Sequence, residues 1–152
     1  MLHDIITNKF IVIPACIWAL AQLVKTLVAL LQGKGLHPRY LFSSGGMPSA
    51  HSAYVTALAT SVALIQGVGS VTFAISTALA FIVLYDAAGV RQSVSQQSII
   101  LNRIIRELRF RRPMTELESD LRELVGHTPF QVVAGAALGI FVSWLWIFIA
   151  TV

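Results

Sequence analysis

Four long apolar runs, separated by polar or glycine-rich breaks, dominate the chain. The first extends from Phe10 to Leu31, about 33 Å as a helix and enough for a hydrocarbon core of about 30 Å. The others run from Ser49 to about Gln66, from about Ser70 to Val90, and from about Phe130 to Val152. Runs of this length and composition read as a multi-span helical membrane protein. Pro14 falls in the first turns of run one, and Gln22 and Lys25 interrupt its second half. Asp86 stands near the end of run three, and run four has no charge.

The breaks differ in kind. Gln32 to Pro48 is rich in Gly, Ser and Pro. Gly67 to Gly69 is a tight turn, which predicts a hairpin of runs two and three. Residues 91–127 form the one sizeable polar region. There Leu101, Ile104, Ile105 and Leu108 recur at helical spacing, with Arg103, Arg106 and Arg109 largely between them. That pattern predicts an amphipathic helix on the cytoplasmic leaflet, or a solvated helix that only supplies positive charge. Pro113 ends it, and an acidic segment follows with Glu116, Glu118, Asp120 and Glu123. No internal repeat is present. The expected architecture is all-α: a polytopic membrane bundle of four spans plus the amphipathic helix, in one domain over residues 1–152.

Composition sharpens this. The 152 residues are 56% hydrophobic and 12% charged, against a usual charged share of about 25%, and mean hydropathy is +0.75. Disorder, coiled coil and soluble nucleic-acid binding are excluded on these numbers. The lone Cys16 has no disulfide partner within the chain. The run after Lys9 is too long for a signal-peptide core and reads as a retained anchor. Four spans place both termini and the Gly67 turn on one side, with only Lys9. The other side carries Lys34, Arg39, Arg91, Arg103, Arg106, Arg109, Arg111, Arg112 and Arg122. This bias predicts cytoplasmic long loops and external termini. So few spans are also compatible with a homodimer.

Two histidines stand at the mouths of spans, in Gly45-Gly46-Met47-Pro48-Ser49-Ala50-His51-Ser52 and in Gly126-His127-Thr128-Pro129. A proline near each start suits the N-terminal position of a helix. Both starts are expected on the cytoplasmic face, so two helix N-termini open together and favour an anion, most simply a phosphate. Gly46 and its neighbour allow close approach of backbone to ligand. The imidazoles add proton transfer and nucleophilicity; the bland alternative is a pair of interfacial caps.

The stretches GGMPSAHSA, YDAAGVRQS and LVGHTPFQVVAGAALGI, in that order, resemble the divergent branch of the type-2 phosphatidic acid phosphatase family, also labelled acid phosphatase or vanadium-dependent haloperoxidase related. The resemblance covers nearly the whole chain. It implies a metal-independent phosphatase without cofactor, acting on a phospholipid or isoprenoid phosphate through a phosphohistidine. By resemblance, His127 is the nucleophile, His51 the general acid, and Ser49 with the backbone near Ala50 the phosphate-binding turn. The wider family has an aspartate where Gln131 stands, an arginine where Leu121 stands, and an Arg-Pro where Gln32 and Gly33 follow Lys25. Lys25, about 9 Å from its span's cytoplasmic end, either reaches the phosphate or snorkels. Asp86 either orients a histidine or pairs with Arg91, which otherwise binds phosphate. Gly135 and Gly139 read as helix packing, and Trp18, Trp144 and Trp146 as lipid-facing or packing residues. The competing function is a non-catalytic membrane protein that binds anionic headgroups; a small transporter subunit has less support.

Overall fold

Where the sequence runs apolar without interruption, the chain is helical. The computed structural model describes residues 2–31, 33, 46–89, 97, 99–101 and 128–151. A short helix α1, Leu2–Thr7, opens the chain; the apolar pattern had not marked it. Asn8 ends it and starts the next helix, accepting the Phe10 N–H on its side chain at 2.9 Å. Then come α2 (Lys9–Leu31), α3 (Ala50–Gln66), α4 (Val71–Ala88) and α5 (Pro129–Thr151). These bounds lie within two residues of the apolar runs. Among the described residues there is no strand.

Local chemistry explains the ends. Ser70 caps α4 by accepting the Phe73 N–H at 3.1 Å. Gly67 closes α3 at φ 87° and gives its N–H to the Ala63 carbonyl, a conformation that favours glycine. The tight turn at 67–69 thus makes α3 and α4 the expected hairpin. Pro129 takes the first position of α5, as its type predicts. Pro48 does not play that role for α3: Ser49 is the cap there, so Pro48 lies one residue outside the helix.

Three helices, α2, α4 and α5, are long and apolar enough to cross a membrane. The fourth expected span, α3, has 17 residues, about 26 Å, and its sequence mixes His, Ser and Thr with alanine and valine. It forms the middle of the bundle, packing against α2, α4 and α5, and holds more buried residues than any other described helix. The outer faces of the others are apolar and exposed, as at Leu23, Ile75, Phe81, Ile82, Val133 and Ile149. Trp18, Trp144 and Trp146 also lie on that outer surface. Exposed apolar faces around a small polar middle belong to a membrane protein. The amphipathic helix expected over 101–108 falls, Leu101 apart, outside the described residues.

Lipid gives helices no hydrophobic reason to associate, so close backbone approach must supply the attraction. Here α3 and α5 run parallel with small residues in register. Ser49 faces Gly135, and Ala53 with Thr56 faces Gly139. Ser143 Oγ donates to the Ala57 carbonyl at 3.3 Å. Thr56 Oγ1 lies 2.8 Å from the Ser52 carbonyl of its own helix and 3.2 Å from the Ala136 carbonyl across the interface. On the other flank, Ile13, Ile17 and Ala21 of α2 close over Ala50, Ala53 and Ala57. Gly135 and Gly139 are therefore packing residues, as their spacing suggested.

Candidate functional site

The starts of α3 and α5 meet at one end of the bundle. The Ser49 N–H donates to the Gln131 carbonyl at 3.1 Å, an interhelical bond that Gly135 permits, because its Cα lies against the Ser49 backbone. Parallel helices side by side bring both N-terminal ends to one spot, the arrangement anticipated from the two histidine motifs.

At α3 the cap is wholly internal. Ser49 and Ser52 are fully buried. Ser49 Oγ accepts the Ser52 hydroxyl at 2.9 Å and the Ser52 N–H at 3.4 Å, and the Ser49 carbonyl accepts the Ala53 N–H at 3.0 Å. The amides of Ala50 and His51 precede that first intrahelical bond. Ala50 is buried while His51 is exposed at the mouth.

At α5, Thr128 and Gln131 form a reciprocal box. Thr128 N–H donates to Gln131 Oε1 at 3.1 Å, and Gln131 N–H donates to Thr128 Oγ1 at 3.4 Å. The Thr-x-x-Gln spacing carries this signal in the sequence. His127, one residue earlier, and Arg91 lie outside the described residues.

Lys25 approaches from the side. It is a buried residue of α2, 6% exposed, so its stem lies within the protein rather than along lipid. A Cβ on Gly46 would come 2.8 Å from Lys25 Cε and 3.2 Å from Cγ. Gly46 has φ +100°, so it is required twice, for its backbone conformation and for the lysine beside it. One turn deeper, Gln22 Oε1 is buried without a hydrogen-bond partner among the described residues. Asp86, half-buried, sits in the last turn of α4, which the 67–69 hairpin returns to the same end. Thus Lys25, Gly46, Ser49, His51, Asp86 and Gln131 all occupy one end of the bundle.

Residues 6–142 match the model of a family described as the Divergent PAP2 family. An uncharacterized membrane protein, YuiD of Bacillus subtilis (strain 168), is 34% identical over 149 residues, covering 92% of this chain and 94% of the relative. No solved structure matches the chain.

Proposed function

Because the chain belongs to the Divergent PAP2 family, we propose that it is an integral membrane phosphatase that hydrolyses a lipid phosphate monoester or pyrophosphate without a metal. One observation carries this reading furthest: the Ser49–Gln131 bond that seats the two helix starts side by side. His51 opens there, and Thr128, which follows His127 in the sequence, stands at the same end.

His127 nitrogen attacks phosphorus as the bond to the lipid oxygen breaks, and His51 gives that oxygen its proton. Water then attacks the phosphohistidine, passing a proton back to His51 and releasing phosphate and neutral His127. Lys25, Arg91 and the amides at the starts of α3 and α5 stabilise charge on the non-bridging oxygens. Ser49 shapes the phosphate turn from beneath, Gly46 keeps it close to Lys25, and Asp86 with Gln131 supports the histidines. The substrate is a phospholipid or isoprenoid phosphate whose chains lie among four membrane-crossing helices, α3 included. A count of nine Lys and Arg against one supports a site on the cytoplasmic side.

Gln131 also favours a second reading, a non-catalytic binder of anionic headgroups, since an amide cannot stabilise imidazolium by charge. Purified protein in EDTA decides between them. Release of phosphate from a short-chain lipid phosphate, blocked by vanadate and lost in His127→Ala, supports the enzyme. Release unchanged by His127→Ala refutes the assignment, and binding without release favours the second reading.

A further inference from the structure

We propose that Gln131 is a positioning residue that locks the two helix starts at a fixed separation. Its two carbonyl groups point to different partners. Side-chain Oε1 accepts the Thr128 N–H at 3.1 Å, holding the turn that follows His127. The main-chain carbonyl accepts the Ser49 N–H at 3.1 Å, holding the turn that leads to His51. The Gln131 N–H closes the box on Thr128, at 2.9 Å from its carbonyl and 3.4 Å from Oγ1. One residue therefore joins both histidine-bearing segments through their backbones. Ser49 is fully buried and its backbone packs directly against Gly135 of α5, so displacement at Gln131 passes into α3 rather than dissipating in solvent.

The catalytic arm of this inference rests on the phosphatase reading. A clamp of this kind acts on geometry more than on affinity, and misplacement by about 1 Å costs on the order of 100-fold in rate. The decisive variants are Gln131→Met, which keeps length and flexibility but removes the oxygen, and Gln131→Glu, which keeps an acceptor at the same reach. With a short-chain lipid phosphate in EDTA, the methionine variant loses about 10- to 100-fold in kcat with KM within about threefold. The glutamate variant recovers kcat to within about threefold. Amide exchange read at Thr128 and Ser49 gives the second measurement: both are protected in wild type and in Gln131→Glu, and both exchange faster in Gln131→Met. Unchanged kcat together with unchanged exchange in the methionine variant overturns the proposal, as does a rise in KM alone. If wild type releases no phosphate, the phosphatase reading fails by itself. The exchange rates still decide the clamp: faster in the methionine variant upholds it, unchanged refutes it.

Discussion

Adding one methyl group at Gly135 tests how the bundle is held together. In Gly135→Ala the new Cβ overlaps the Ser49 carbonyl oxygen by about 1 Å relative to an ordinary contact, and it also meets Ser49 C and Cβ at 3.1 Å. The obstacle is backbone of a fully buried residue, not the tip of a flexible side chain, so α3 itself must retreat. Such overpacking costs about 1–3 kcal/mol. A retreat of about 1 Å also carries the Ser49 N–H out of hydrogen-bond range of Gln131, from 3.1 Å. That adds about 0.6–1 kcal/mol. The total, about 2–4 kcal/mol, corresponds to a fall in Tm of about 5–15 °C for a chain of this size. Thermal unfolding in detergent measures it, with Gly69→Ala as control, because a Cβ at Gly69 meets nothing within 4 Å. That control stays within about 0.5 kcal/mol of wild type. Equal Tm values for the two variants would refute the claim that close backbone approach joins α3 to α5.

Three further outcomes are expected. Lys25→Met raises KM for a lipid phosphate by about 10- to 100-fold, since a charged hydrogen bond contributes about 1.5–3 kcal/mol; unchanged KM with lower Tm would make Lys25 structural. Phosphate release follows a bell in pH: acid protonates the His127 nitrogen that must attack, alkali removes the His51 proton the leaving oxygen needs, and a flat profile contradicts these roles. With Cys16 removed and a cysteine placed at Ser95, a thiol reagent labels only when admitted to the cytoplasm; labelling from outside overturns the orientation.

The ends of the spans were readable because each apolar run stops at residues that themselves terminate helices. Ser70, Gly67 and Gly89 do so by caps and turns whose chemistry is local. Hydrophobicity said less about α3, since a helix hidden among other helices need not be the most apolar. Its place in the middle is written instead in Ser49, Ala53, Ala57 and Ser61, four residues apart, opposite Gly135, Gly139 and Ser143. Only the glycine half of that match is distinctive in a sequence, because small-xxx-small glycines are a packing pattern whereas Ser and Ala are common everywhere. Pro48 was misplaced because proline suits several positions near a helix start, and Ser49 was the better cap. The Gln131 position, compared with an aspartate, drew attention to imidazole chemistry and away from the Thr128 box. Lys25 next to Gly46 could not be foreseen, because nothing local links residues so far apart in the chain.

The depth of α3 also bears on how the protein is made. Thr56 and the backbone at Ser49, Ala53 and Ala57 meet α5, which begins more than sixty residues after α3 ends. In a chain emerging from N to C terminus, the α3–α4 hairpin is therefore complete well before the helix that α3 packs against. Until Gly135, Gly139 and Ser143 arrive, no backbone can close on Ala53 and Ala57. Completion of the bundle consequently waits on the last helix, and a chain stopped short of it would leave the α3 backbone at Ser49, Ala53 and Ala57 without the cover that Gly135, Gly139 and Ser143 provide.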